Sequence, residues 1–381
     1  MAKIIAFPGK SCCVGNGNQQ KKIRAAKPCG AALLENASTE QGACIQPIWK
    51  SRRHSIVISA VVPARGNPGL LNRCLAALMH QTLPFCQYEI IVVDSAPSNA
   101  SRVVVESHLN QPGKKPCIIY LPVDTRTGAA AARNHGWQIA RGAIVAFTEE
   151  DAIPAADWLK QGLQAFDGTK QAVRGAILNT LSIVPTEQER ELKSRENPEF
   201  ASFNCFCLRR VLEDLGGFDE RFGNAGCDDT DLYLRLLEAN AAIGEAPLAV
   251  VEHPLEATHW ASSLQQQKMT QFEALLYSKH SRRECKKIRR LMPWHYPAIV
   301  MALLGLSAAL VVHNVLLVLL ATFGWTMLTA HLCLQRLRGT EKSAANIFWI
   351  VWTSLLLPPI GVFWRMVGAL RFRLIFLESQ K

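Results

Sequence analysis

No Cys-x-x-Cys pair occurs among the twelve cysteines, and that spacing argues against zinc knuckles, redox motifs and a disulfide framework. The thiols are read as scattered and reduced. No long apolar run opens the chain, which has only a short stretch before Pro8, so a cleaved secretory leader is not expected and the polar part is placed in the cytoplasm. Charged residues are sparse at 19%, against 49% hydrophobic, so the 381 residues hold enough apolar material for a sizeable core and two domains. The formal charge of +11 invites a nucleic-acid reading, but its distribution opposes one. Residues 1–54 carry 9 basic and 2 acidic side chains, residues 55–260 carry 18 and 25, and residues 261–381 carry 15 and 4. The middle is acidic, and the positive charge flanks long apolar runs as in juxtamembrane segments. Membrane, and not nucleic acid, is the expected partner.

Residues 1–54 lack lasting periodicity and read as a basic, disordered arm. From Ser55 short β-branched runs alternate with amphipathic stretches: SIVISAVVP, GLLNRCLAALMHQ, YEIIVVD, CIIYLPV, TGAAAARNHGWQIA and GAIVAFTEED. Continuous apolar strands separated by helices predict an α/β domain over 55–260 with a mostly parallel sheet buried on both faces. Further strands are expected in QAVRGAILNT and FNCFCLRR, and helices near Val211–Leu215 and Asp229–Ala239. Ligands of such sheets lie beyond the carboxyl ends of the strands. That places Pro63, Ala64 and Arg65, then Asp94 and Ser95, then Glu149, Glu150 and Asp151, at the candidate site.

The last third differs. Residues 261–296 form a basic amphipathic linker in which SRRECKKIRR sets six bases against one acid. Within the membrane region 297–381, two uncharged runs, 297–312 and 315–333, are separated only by His313 and Asn314. At about 1.5 Å per residue each is near the shortest length that crosses a bilayer core. Basic clusters at both outer ends and none at the turn predict a helical hairpin with both ends cytoplasmic. A third apolar stretch, within 345–376, is interrupted by Pro358-Pro359 and followed by Arg365, Arg371 and Arg373, so a bent or interfacial segment is expected in place of a third span.

Two acidic constellations carry the chemistry. In FTEEDAIP three consecutive carboxylates close an apolar strand; they repel one another unless solvent or a hard divalent ion neutralises them, and such an ion also bridges a diphosphate. An acidic turn capping the next helix is the alternative. In GGFDERFGNAGCDDTDLYLRLLEAN, Asp228, Asp229 and Asp231 occupy the first turn of an amphipathic helix. Capping accounts for one acid, and a carboxylate here can accept a proton from an attacking hydroxyl.

Together these stretches resemble the family 2 glycosyltransferases, inverting enzymes with the GT-A fold. The resemblance covers roughly residues 55–290 and rests on VVPARGNPGLLNRCLAALMHQT, EIIVVDSAPSN, GAAAARNHGW, GAIVAFTEEDAIPAADWL, and GGFDERF with CDDTDLYLRL, in the family's order. VVEHPLEATHW and FEALLYSKH before a hairpin look like members acting at the cytoplasmic face of a bacterial membrane. The resemblance implies a nucleotide-sugar donor beside Pro63, Ala64, Arg65 and Asp94. Ser95 stands where many relatives carry a second aspartate. It implies Asp151 as the principal ligand of Mn2+ or Mg2+, with Glu149 and Glu150 replacing aspartates of the donor and metal motif, and His253 near the diphosphate. Asp228 would orient the acceptor and Asp229 would be the general base. Arg133 and His259 are assigned to packing. No Q-x-x-R-W segment occurs, so single-sugar transfer to a lipid-linked or envelope acceptor is expected over polymerisation. A catalytically silent scaffold of the same fold, a nucleotidyltransferase and a small transporter are the competing readings.

Overall fold

The computed structural model describes residues 5–6, 56–123, 128–178, 200–223, 227–253, 262–280 and 293–378. The expected basic arm lies outside these apart from Ile5–Ala6, and so do His259 and the run SRRECKKIRR.

The short strand β1 (Ile5–Ala6) pairs antiparallel with β4, so this piece of the arm joins the sheet. The chain then alternates through β2 (Ile58–Ala64), α1 (Pro68–Met79), β3 (Tyr88–Asp94), α2 (Asn99–Asn110), β4 (Cys117–Pro122), α3 (Ala129–Ile139) and β5 (Ile144–Phe147). Asn67 caps α1 by accepting from the Leu70 amide at 3.2 Å, and Pro68 opens the helix where its missing N–H is not needed. After β6 (Ile153–Pro154) and α4 (Trp158–Gln164) come β7 (Ala172–Leu178), β8 (Cys205–Leu208), α5 (Arg209–Leu215), α6 (Asp228–Glu238) and β9 (Ile243–Glu252).

The nine strands form one sheet in the order β1-β4-β3-β2-β5-β8-β7-β9-β6. The expected sheet is present, with most of its paired residues in parallel ladders, and it also contains antiparallel strands. Pairs β2–β3, β2–β5, β3–β4 and β7–β9 are parallel, while β8 runs antiparallel to both β5 and β7. An apolar run such as FNCFCL shows that a strand is buried but carries no mark of its direction.

Side chains alternate between two cores. Ile58, Ala60 and Val62 face Leu71, Leu75, Val105 and Trp158, while Val61, Ile91 and Val93 face Ala130, Trp137, Leu212 and Leu232. The alanine-rich sequence of α3 follows from its close approach to the sheet: a Cβ on Gly136 would lie 2.3 Å from Val61 Cγ1. The strand order reverses between β2 and β5, the kind of switch point at which doubly wound sheets open a crevice.

A polar stretch follows, α7 (Ser262–Met269) and α8 (Glu273–Lys279), then the apolar helices α9 (His295–Val311), α10 (Val315–Leu337) and α11 (Ala344–Glu378). Val315–Leu337 and Ala344–Phe372 are long and apolar enough to cross a membrane; His295–Val311 is shorter. Asn314 caps α10 at the tight turn after α9, accepting from the Leu317 amide at 3.1 Å. Where an interruption was expected at Pro358-Pro359, α11 remains helical through both prolines. Upstream, the Thr353 and Ser354 hydroxyls donate to the carbonyls of Trp349 and Ile350, each at 2.7 Å.

Candidate active site

The ends of β2, β3 and β4 are in register, with Ala64 beside Asp94 and Asp94 beside Pro122. Pro63 and Ala64 are buried in the strand, and Arg65 is exposed just beyond it. Thr148 still bonds to β2 through Val61, so Glu149, Glu150 and Asp151 emerge at the switch point. With Pro63, Arg65 and Ala129 they line a cleft of about 60 Å³.

The three acids have distinct environments. Glu150 is buried and accepts from the Arg65 amide at 3.0 Å, while its Oε2 has no partner. Burial, reinforced by the neighbouring Asp151 charge, pushes its carboxyl up to about 7 despite that hydrogen bond. Glu150 thus holds the loop after β2. Asp151 is half-buried, 3.4 Å from His253 Nε2, and its Oδ1 is buried without a hydrogen-bond partner. Burial acts to raise the Asp151 carboxyl, but the contact with His253 outweighs it and holds the group below the ordinary carboxylate range.

Glu149, Asp151 and His253 each offer one ligand atom, all within 4.8 Å of one another. Two carboxylates and an imidazole, with one carboxylate oxygen lacking a partner, fit a divalent cation of the Mn2+ type.

Asp94 closes β3 at the strand end. It is fully buried and accepts from the Tyr120 hydroxyl at 2.8 Å and the Ala96 amide at 3.1 Å. Ser95 donates its hydroxyl to the Ala64 carbonyl at 2.8 Å, closing the adjacent loop.

The residue that joins the two acidic constellations is Arg133, assigned from sequence to packing. Its side chain is 2% exposed; Nη1 donates to Asp228 Oδ2 at 2.7 Å and Nη2 pairs with Glu149. The guanidinium lies 5.3 Å from the Phe218 ring centroid, and its Nε is buried without a partner. Asp228 is therefore buried against Arg133. Asp229 accepts instead from the Thr230 amide at 2.7 Å. Burial and the Asp228 charge push its carboxyl up to about 7, against the lowering influence of Thr230 and Arg133.

Asp231 is fully buried and bound by Arg235 at 2.8 Å, His280 Nε2 at 2.9 Å and Lys279. Lys279 also reaches Asp219 at 2.6 Å, and His280 Nδ1 lies 2.8 Å from Glu238. These ion pairs fasten α6, with its acidic first turn, to the polar segment that leads to the apolar helices. FEALLYSKH signalled a stretch of interest, but not its target.

The sheet is mixed, with acids at the carboxyl edge of its parallel half. Residues 59–216 match the family described as Glycosyl transferase family 2. Helix α6 lies beyond the matched residues. The chain is 28% identical over 208 residues to Glycosyltransferase AglE of Haloferax volcanii, covering 52% of this chain and 66% of that protein. It is 29% identical over 214 residues to the Pre-mycofactocin glycosyltransferase of Mycobacterium tuberculosis, covering 51% and 42%. The chain thus spans less than two thirds of the length of either relative. Among solved structures, the mannosyltransferase PcManGT from Pyrobaculum calidifontis in complex with GDP-Man and Mn2+ aligns over 86% of this chain and 89% of its own, at 18% identity and a TM-score of 0.49. TarS 1-349 of S. aureus in complex with UDP aligns over 61% and 68%, at 19% identity and a TM-score of 0.45.

Proposed function

We propose that this chain transfers one glycosyl group from a nucleoside-diphosphate sugar to a hydroxyl of a membrane-associated or envelope acceptor, with inversion at the anomeric carbon. The observation that carries this reading is the Arg133 bridge, which sets the acidic end of β5 beside the acidic first turn of α6. Donor-binding and proton-accepting groups are thereby adjacent, as a direct displacement requires.

Asp229 takes the proton from the acceptor oxygen as that oxygen bonds to the anomeric carbon. The bond from that carbon to the diphosphate breaks on the opposite face, and its electron pair leaves with the nucleotide. A carboxylate titrating near neutrality suits a general base. Arg133 neutralises Asp228 and orients Glu149. Arg65 and Ser95 border the donor, and Glu150 and Asp94 act through the loops they hold. Asp151, Glu149 and His253 would hold a divalent cation, which offsets negative charge on the leaving diphosphate when bound. The Lys/Arg bias of the flanks supports a catalytic domain on the cytoplasmic side and an α9–α10 hairpin inserted with both outer ends cytoplasmic.

The test is thermal stabilisation of the purified full chain in detergent by a panel of nucleotide sugars, with and without Mn2+, followed by nucleotide release on adding acceptor lipid extracts. Cation-dependent stabilisation by one donor class is expected. Stabilisation by no donor, together with no nucleotide release, would overturn the reading.

A further inference from the structure

Helix α11 meets partners along its whole length, and their order is informative. Arg336, near the end of α10, donates to Ser354 at 2.6 Å and to the Ile350 carbonyl at 3.2 Å. One turn further, Leu357 joins Tyr296 and Ile299 at the start of α9. Next, Gly361 lies against Gln267, and a Cβ on Gly368 would stand 2.2 Å from the Gln271 carbonyl oxygen. Arg365 pairs with Glu273 at 3.1 Å, and Phe372 enters a cluster with Phe222, Leu234, Leu275 and Leu276. The helix therefore crosses the hairpin at its open end and continues under the polar α7–α8 segment to the body of the α/β domain. A helix crossing the bilayer beside the hairpin would instead cover its far half, where Leu310, Leu316 and Leu320 remain exposed.

The other side of α11 is also apolar. Phe348, Trp352, Phe363, Met366 and Leu370 are exposed, at spacings that place them on one stripe opposite the buried Ile350, Ser354, Leu357, Gly361, Gly368 and Phe372. At about 1.5 Å per residue the stripe runs over 30 Å. The hairpin likewise exposes apolar side chains, among them Leu316, Leu320 and Phe323, and exposed Arg338, Lys342 and Arg371 accompany the stripe.

We infer that α11 is a strut lying in the bilayer interface, with the stripe from Phe348 to Leu370 bound to lipid and the opposite face holding the α/β domain through Phe372 and Arg365. The occupant of the stripe is lipid because the adjoining hairpin exposes the same kind of apolar surface and the stripe is accompanied by cations suited to anionic headgroups. Leu234 lies on α6, so the strut also fixes the height of Asp229 above the membrane.

The test uses the full chain in sealed vesicles of phosphatidylethanolamine and phosphatidylglycerol, with a protease site placed either at His313-Asn314 or after Lys381. Cleavage after Lys381 only from the side of the α/β domain, and at the turn only from the opposite side, is expected. A photo-crosslinking residue at Phe348, Trp352, Phe363 or Leu370 should yield lipid adducts, and one at Leu357 an adduct within the chain. Cleavage of both sites from the side opposite the α/β domain makes α11 a span and overturns the inference, as do cleavage of both from the side of that domain, which leaves the hairpin uninserted, and protein adducts in place of lipid along the stripe. Neither readout uses turnover, so the inference stands or falls apart from the transferase reading.

Discussion

Arg133 Nη1 donates to Asp228 Oδ2 at 2.7 Å while the same guanidinium pairs with Glu149, so one buried cation spans two carboxylates that are far apart in the chain. A planar fork can serve both acids at once, and an ammonium on a lysine stem cannot. Removing one partner from a buried charge group leaves the others uncompensated, at a cost of about 3–5 kcal/mol. Arg133→Met should therefore lower the melting temperature markedly. Arg133→Lys, keeping the charge, should fold but lose at least about tenfold in kcat, because it positions only one of the two acids. A folded Arg133→Lys protein with the wild-type kcat would show that the bridge has no part in turnover.

Burial and the Asp228 charge push the Asp229 carboxyl up to about 7, so protonation on the acid side would remove the proposed base. The rate of transfer should rise with pH through about 7 and level off above it. Asp229→Asn keeps the side chain's size but cannot accept the proton, and should lose about 10² to 10⁴ in rate, the usual share of general-base assistance. Donor affinity should change little. The experiment is a pH–rate profile for both proteins; a wild-type rate in folded Asp229→Asn removes the residue from the mechanism. A large loss in Asp228→Asn with none in Asp229→Asn would shift the base by one position.

The parts of the site that could be read from the chain are those in which chemistry and local pattern coincide. Glu149 to Asp151 close an apolar run, and Asp228 to Asp231 open an amphipathic one, so each announces both its element and its end of that element. Arg133 was not legible as a site residue because its meaning lies in two carboxylates 16 and 95 residues away. Asp94 stands at the predicted strand end, but the hydrogen bond it accepts from Tyr120 on another strand is a tertiary contact that the local pattern does not carry. Glu89 is a similar case: a carboxylate inside an apolar strand, satisfied by Ser59 at 2.7 Å and by Arg141 across the sheet end. The direction of β8 is equally a tertiary property. So is the path of α11, whose hydropathy fits a span and whose partners trace a different course.

His280 and Asp231 provide a pH-dependent link between α6 and the segment after β9. Burial pulls His280 down, but its contacts with Asp231 and Glu238 outweigh this and hold it above the ordinary value of 6.5. Asp231 is held low: burial raises it, and His280, Arg235 and Lys279 more than offset this. The carboxylate's contribution is present above the ordinary carboxylate range and lost as pH falls through its depressed value. That of the imidazolium is complete below 6.5 and lost as pH rises through its raised value. His280→Asn should thus lower the melting temperature more at pH 6 than at pH 9, with a loss of about 1–3 kcal/mol at the lower pH. Equal losses at both would mean that the imidazole charge contributes nothing.

The cluster of Glu149, Asp151 and His253 makes a prediction about which cation the site prefers. Carboxylates alone accept Mg2+ readily, whereas an imidazole in the set favours later, softer divalent ions such as Mn2+. The unpartnered Asp151 Oδ1 makes that residue the strongest candidate ligand. Titration of Mn2+ followed by electron paramagnetic resonance should therefore show weaker binding in Asp151→Ala, by at least the about 10- to 100-fold that loss of even an outer-shell partner costs. His253→Asp should keep binding but move the preference from Mn2+ toward Mg2+. Donor stabilisation in Asp151→Ala should become independent of the cation and weak, because the acids at the end of β5 would then face a diphosphate without a countercharge. Unchanged Mn2+ affinity in Asp151→Ala, or full transfer in excess EDTA, would place the cation elsewhere or remove it from the reaction.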